Sequence, residues 1–401
     1  MAVVHGRWLP RRLPAVPVPL QHESLHSWAA ALGRVLDTNF APVTSVLGLD
    51  SGGHDAVFRL RRAVLGLEAR QVEIIAAATG LTRERITALT FESYLWGVKA
   101  DHLWPSGLPD IPGHDQLERN RAATVQRGYI LGTTRFRVCP ACIDEDGGRW
   151  PLAWMLPWFV ACTRHRLYMV ERCVCGNRLR SAGCLDGADW KCSGHFSDAT
   201  GTKQQACGRR LRELPRVPVA DSALIEAHNW LLQLLNRPGE RGTAENFTPN
   251  DLFAVLLLCI ERGAPVNVTG LDSHVRLAFE ERTRRNEATM WRSGEGERGY
   301  AAPVPVMAAG VRMAAPILAA ADPVRAAGSV LPVDVVVDGA RAISDWLHTP
   351  LQITAMSLVS ARFIPLAACV LDQSGSPVPR TQHAMNHPER YMSRWSALGP
   401  R

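Results

Sequence analysis

Cys139-Pro140-Ala141-Cys142, then Cys162-Thr163-Arg164-His165, then Cys173-Val174-Cys175-Gly176: the middle of this chain is organised around thiols at short spacing, and their reading decides the fold. Two ligands separated by two residues clasp one edge of a tetrahedron from a single turn, which is what a structural zinc ion requires of a polypeptide. Cys139 and Cys142 supply one edge and Cys162 and His165 the other, with nineteen residues between them, a four-ligand zinc-ribbon spacing. A second set follows at once. Its preferred ligands are Cys173, Cys175, Cys192 and Cys207, with Cys184 and His195 as substitutes. Gly176 and Gly208 each follow a candidate ligand, where a tight knuckle benefits from a residue that tolerates positive φ.

Eight of the ten cysteines lie between Cys139 and Cys207, in a stretch rich in Gly and Arg and poor in long apolar runs. Such a stretch buries too little apolar surface to fold alone, whereas structural zinc contributes about 10–16 kcal/mol in finger peptides. Two structural Zn2+ ions are therefore expected. Metal is preferred to disulfides because the N-terminus, MAVVHGRWLPRRLPAVPVPL, is interrupted by Pro10, Pro14, Pro17 and Pro19 and offers no secretory h-region. The longest apolar stretch, Leu252 to Ile260, is too short for a bilayer of roughly 30 Å. A cytoplasmic protein with reduced thiols and no membrane contact is the expectation.

Outward from the thiols, the pattern is helical. Residues 1–20 read as an extended Pro/Arg arm. In the following segment Leu25, Trp28 and Leu32 share one helical face. Between Glu68 and Tyr94, Val72, Ile75 and Ala76 form a stripe, Gly80 interrupts it, Thr82 can cap, and Ile86 and Leu89 resume it. This reads as a helix-turn-helix with Arg83 and Arg85 near the start of its second helix, or as a plain helical hairpin. Trp150, Trp154 and Trp158 recur every four residues, as on a buried helical face, with a base-stacking platform as the other reading. Helices are also signalled at Ser222 to Leu232 and after Thr248-Pro249-Asn250-Asp251. Residues 294–329, rich in Ala, Pro and Gly, include a flexible connection. A strand at 330–337, a helix at 340–347 and a poorly ordered tail after Ser374 complete the reading. The fold class expected is mainly α with small zinc-ribbon β elements. Its domains are an arm and helix-turn-helix-like region (1–132), tandem zinc ribbons (133–214), a helical domain (215–300) and a C-terminal region (301–401).

The formal net charge is +7, which favours polyanionic partners without fixing the fold. Arg83, Arg85, Arg135, Arg137, Arg164 and Arg166 are the candidate nucleic-acid contacts, with a solvated basic surface as the alternative account. Catalytic motifs are missing. A zinc deaminase places His-x-Glu ahead of Pro-Cys-x-x-Cys; here His387-Pro388-Glu389 lies behind the cysteines and Val138 precedes Cys139. No His-Glu-x-x-His, Gly-x-Ser-x-Gly or Walker loop occurs. A four-ligand site is also closed to an activated water. The chain is expected not to be an enzyme.

The order of features resembles the TniQ proteins of bacterial transposons, relatives of the target-selecting TnsD subunits. The resemblance is carried by Leu13-Pro14, Glu23-Ser24-Leu25, Ser27-Trp28, Cys139-Pro140-Ala141-Cys142, Trp154, Pro157, Cys162-Thr163-Arg164-His165-Arg166-Leu167 and Cys173-Val174-Cys175-Gly176, across roughly residues 9–214. It implies a bacterial transposition targeting factor that links a AAA+ ATPase regulator, and through it the transposase, to target DNA or to an RNA-guided effector on DNA. A homodimer is compatible with it. Cys173-Val174-Cys175 departs from the family by having one residue between thiols where two are usual. A zinc-ribbon transcription regulator and a zinc-dependent nuclease or hydrolase are the alternative readings.

Overall fold

The computed structural model describes residues 2–4, 7–49, 63–64, 66–93, 137–156, 158–179, 190–197, 204–235, 249–262, 268–289 and 302–328. It is mainly helical with a few short strands. The chain divides into two units, one formed by Met1–Leu103, Leu131–Pro218 and Leu234–Gly239, the other by Trp104–Ile130, Val219–Gln233 and Glu240–Arg401.

The first unit opens with a hairpin, β1 (Ala2–Val4) antiparallel to β2 (Arg7–Leu9), with Val3 opposite Trp8. The arm is thus extended only from Pro10 onward. Prolines fix φ and lack an N–H, so they halt strand pairing where they begin. The extended part lies on helices: Leu13 N donates to Ala78 O at 2.8 Å, and Trp28 Nε1 donates to Pro17 O at 2.9 Å.

Helix α1 (Leu25–Val35) starts at Ser24, whose hydroxyl accepts from Ser27 N at 3.1 Å and so satisfies an otherwise orphaned donor of the first turn. Leu25, Trp28 and Leu32 are fully buried, as their shared face requires, and Ala29, Ala30 and Ala31 are buried with them. Helix α2 (Phe40–Val46) contributes Val43 to the same core. Helix α3 (Ala69–Thr79) ends at Gly80 in the left-handed region, φ 68°. Thr82 then caps α4 (Arg83–Thr87), its hydroxyl accepting from Arg85 N at 3.4 Å. Val72, Ile75, Ile86 and Leu89 bury one continuous stripe against α1. Each such side chain contributes about 1.5–3 kcal/mol of burial. The expected hairpin around Gly80 is present; it packs as core on one side and exposes Arg83 and Arg85 on the other.

Beyond residue 137 the first unit is made of short pieces: α5 (Pro140–Glu145), β3 (Ala161–Cys162) paired with β4 (Leu167–Tyr168), and β5 (His195–Ser197) paired with β6 (Gln204–Ala206). The tryptophan run differs from expectation. Trp150, Trp154 and Trp158 are all buried, but they do not share a helix. Only Leu152–Met155 turns, as one turn of 3-10 helix after Pro151, and Leu156 is extended with ψ 131°. A residue before proline is driven out of the helical region, and Pro157 follows Leu156.

The second unit is helical: α6 (Ser222–Leu235), α7 (Pro249–Arg262), α8 (Ser273–Thr289), α9 (Val304–Ala319) and α10 (Pro323–Ala327). Helix α9 lies at its centre, buried along nearly its whole length and packed on α7, α8 and α10. Within 294–329, the range expected to include a flexible connection, 304–319 is thus a packed helix, while 294–301 lie outside the described residues. Ala and Gly there are packing residues: a Cβ on Gly310 would stand 2.6 Å from Ile260 Cγ1, so the missing side chain is what lets α9 approach α7. Asp221 ties the unit together, its Oδ1 accepting from Ala223 N at 3.1 Å and its Oδ2 from Arg312 Nε at 2.7 Å. No helix among the described residues is long and apolar enough to cross a membrane. Thr248 and the elements expected at 330–337, 340–347 and after Ser374 lie outside the described residues.

Candidate metal centres

Cys139 stands immediately before α5, and Pro140 occupies the first turn, where its missing N–H costs nothing. The following turn carries Cys142 back beside Cys139. The β3–β4 hairpin delivers the other edge, Cys162 at the end of β3 and His165 in the turn. The imidazole presents Nδ1 to all three sulfurs, at 3.5 Å from Cys139 Sγ, 3.2 Å from Cys142 Sγ and 3.5 Å from Cys162 Sγ. Cys142 and Cys162 Sγ are 3.6 Å apart. A tetrahedral ion with bonds of about 2.3 Å to sulfur and about 2.0 Å to nitrogen sets the edges at about 3.8 Å for S···S and about 3.5 Å for S···N. The four donors stand at those edges, so their spacing and chemistry fit such an ion.

The second set is assembled from separated strands. Cys173 and Cys175 lie in one tight turn, Cys192 precedes β5, and Cys207 follows β6. Cys173 Sγ is 3.7 Å from Cys207 Sγ, and Cys175 Sγ is 3.8 Å from Cys192 Sγ, again tetrahedral edges. Within each set the ligand atoms all lie within 4.8 Å of one another. Gly176 and Gly208 adopt φ 83° and 62°, the left-handed turns that their positions after ligands called for. One residue between Cys173 and Cys175 suffices here because Asn177 braces the turn, donating from Nδ2 to His195 O at 2.7 Å. His195 itself is exposed on β5 and stands outside the set; Cys184 lies outside the described residues. Both sets of four can hold a metal ion.

Considered as thiols alone, the two sets contain strongly unequal groups. Hydrogen bonds from Cys142 and then Cys162 pull Cys139 down, with the backbone N–H groups of Cys142 and Ala141 adding to it. Cys142 is pushed up by its hydrogen bond to Cys139 and then by that to Cys162. Burial raises Cys175, but hydrogen bonds from Asn177, Cys207 and Cys173 outweigh it and hold the thiol at about 6. Pre-aimed N–H donors of this kind favour thiolates, the form a cation binds.

The surroundings of the first set were not assigned from sequence. Glu145, on α5, accepts from His165 Nε2 at 3.0 Å, which fixes the ring with Nδ1 toward the sulfurs. Arg164 caps this arrangement, donating from NH1 to both oxygens of Asp146 at 3.0 Å and from NH2 to Glu145. A second feature joins this region to the N-terminal helices. Glu23, 1% exposed, accepts from Arg149 Nε at 2.8 Å and from its NH2, from Ser27 Oγ at 2.7 Å and from Leu20 N at 2.9 Å. Ser27 Oγ in turn accepts from Trp150 N at 3.0 Å, and Leu152 N donates to His22 O at 2.8 Å. Glu23 and Ser27 were visible in sequence as motif residues, but nothing local reveals their partner at 149.

The six arginines proposed for nucleic acid have different fates. Arg137 is a correction: its side chain is 2% exposed and paired with Glu171 at 3.3 Å, so it is a core ion pair and is closed to a ligand. Burial lowers its pKa and Glu171 opposes that shift. Arg164 is exposed but engaged with Asp146 and Glu145. Arg83, Arg85 and Arg166 are exposed. Arg135 lies outside the described residues.

Taken together, these features define a helical protein carrying two four-ligand Cys/His knuckles, the first of them locked to an N-terminal helical hairpin region. The TniQ family model matches residues 14–169, and over that segment the chain is similar to the TniQ family. The match takes in the arm from Pro14 onward, α1 to α4 and the whole first knuckle. It is narrower than the span of 9–214 over which the sequence resembles the family, so Cys173, Cys175, Cys192, Cys207 and the second unit lie beyond it. No curated protein and no solved structure matches the chain.

Proposed function

We propose that this protein is a transposition targeting adaptor, which recruits a AAA+ ATPase regulator, and thereby the transposase, to a target DNA or to an RNA-guided complex bound on DNA. The observation that carries the reading is the TniQ match across residues 14–169, within which the Glu23–Arg149 junction ties α1 to the first knuckle. Cys139, Cys142, Cys162 and His165 would hold one zinc ion, and Cys173, Cys175, Cys192 and Cys207 a second. Their role is structural. Four protein ligands leave no open position for a reacting water, so neither centre is catalytic in this reading, which assigns the protein a binding role. The test is co-purification of the metal-loaded protein with the AAA+ ATPase encoded beside it. Capture supports the proposal, and no capture by folded, metal-loaded protein overturns it.

A further inference from the structure

The arm and the α3–α4 turn meet at one place. Leu13 N donates to Ala78 O at 2.8 Å, which pins the arm across the end of α3. One residue earlier, the Arg12 guanidinium rests against Gly80, on the spot a side chain at position 80 would fill. Two residues beyond Gly80, Thr82 starts α4, whose Arg83 and Arg85 are exposed, as are Arg11 and Arg12. Four guanidiniums from two segments distant in sequence therefore gather around one turn. Among the described residues none of the four forms an ion pair, in contrast to Arg137, Arg149 and Arg164. The one acid in α4, Glu84, is held ionised chiefly by its own backbone N–H and the Thr82 hydroxyl, with Arg83 adding to these, and leaves the group with a net positive charge.

We infer that Arg12, with Arg11 beside it, extends the α4 arginines into a two-segment grip on the phosphate backbone of duplex DNA. This deepens the proposed function and rests on its reading of DNA as the target. The choice of duplex follows from the arrangement. Cations on one helix can grip a single strand, whereas an arm held at a fixed angle to a helix-turn-helix spans two positions across a groove, as arm-bearing helical DNA-binding domains do. Arginine also suits phosphate better than lysine does, because its planar fork donates two parallel hydrogen bonds. The arm's position is not left to chance: Leu13 and Val16 pack on the core while Arg11 and Arg12 face solvent.

The experiment measures affinity of the full-length, metal-loaded protein for a mixed-sequence DNA duplex from roughly 50 to 200 mM salt. Removing one phosphate-neutralising cation should reduce the slope of log K against log salt by about 0.9. Arg12→Gln is expected to reduce it by about one unit and the Arg83→Gln/Arg85→Gln pair by about two. Arg70→Gln, an exposed arginine about 15 Å away along α3, should leave it unchanged. A slope unaltered by Arg12→Gln overturns the inference, as does a slope change seen only on single-stranded RNA of the same sequence. Capture of the AAA+ ATPase is read on the same samples. Intact capture with an unaltered slope overturns this inference alone; no capture by the parent protein with the expected slope changes overturns the proposed function alone.

Discussion

Arg149→Met is the most informative single change, because it cuts the junction between α1 and the first knuckle without touching a metal ligand. Glu23 is 1% and Arg149 17% exposed, so the pair lies in the regime where removing one partner leaves a charge buried without compensation. That costs about 3–5 kcal/mol. Where in this range the cost falls depends on the remaining partners. Glu23 keeps Ser27 Oγ and Leu20 N as donors, which limits the penalty, while Val18 O is deprived of the bond from Arg149 NH2 at 2.8 Å, worth about 1 kcal/mol. About 3–4 kcal/mol is expected. The Glu23→Gln/Arg149→Met double variant should recover roughly 2 kcal/mol of the summed single costs, since a neutral amide in place of the carboxylate leaves no buried charge. Urea unfolding of the metal-loaded proteins, followed by tryptophan fluorescence, reads this directly, and Trp28 and Trp150 lie next to the junction. An unchanged m-value is required for the comparison. A cost below about 1 kcal/mol for Arg149→Met, or strict additivity in the double variant, would refute the buried-pair reasoning.

Elemental analysis of the purified protein should return two zinc ions per chain, one for each four-ligand set; Cys162→Ser and Cys192→Ser should each remove one, and a single variant that releases both would show the sets to be one site. Glu145→Gln should weaken the first site about 10- to 100-fold in competition with a chromogenic chelator while leaving the second unchanged; equal effects on both would mean that the Glu145–His165 hydrogen bond is not what tunes the ligand. Cys259 is fully buried in α7 and desolvation raises its pKa, so its thiolate is scarce at pH 8 and iodoacetamide should leave it unmodified in native protein by peptide mass mapping. Modification of Cys259 before urea is added would contradict its place in the core.

Local chemistry was legible in the sequence and tertiary pairing was not. Spacing pointed to the first set, and narrowed the second to Cys173, Cys175, Cys192 and Cys207 with Cys184 and His195 as substitutes, because a tetrahedral ion constrains its ligands more tightly than a hydrophobic core constrains its members. Gly176, Gly208 and the Thr82 cap were legible for the same reason: each answers to a dihedral angle or to one hydrogen bond within its own turn. The tryptophan run misled because two-point spacing is blind to proline, and Pro151 and Pro157 break the helix that the four-residue interval suggests. The Ala- and Gly-rich part at 304–319 was hard to read because Ala and Gly are ambiguous. They read as flexible when exposed and as close-packing when a partner helix is present, and the partner, α7, is about 50 residues away. Arg137 failed for the same reason. A charge seen in sequence has no address until Glu171 is placed beside it.

The positive charge of the chain is distributed by the same logic. A formal net charge of +7 invites the idea of a broad basic face, yet three prominent arginines near the first knuckle are already engaged inside the protein. Arg137 neutralises Glu171 in the core, Arg149 neutralises Glu23 at the junction, and Arg164 closes over the two acids that follow Cys142. Such pairs contribute order and little long-range field, because opposite charges within hydrogen-bond distance cancel beyond the Debye length of about 8–10 Å. Among the described residues, the exposed arginines with no ion pair include Arg11, Arg12, Arg83 and Arg85, where the arm crosses Gly80, and Arg166 beside the first knuckle. Residue counts place basic character around the cysteines; pairing withdraws Arg137, Arg149 and Arg164 from it. In the proposed function the knuckle is the rigid support and the arm and hairpin the binding surface, with the Glu23–Arg149 pair joining α1 to the knuckle.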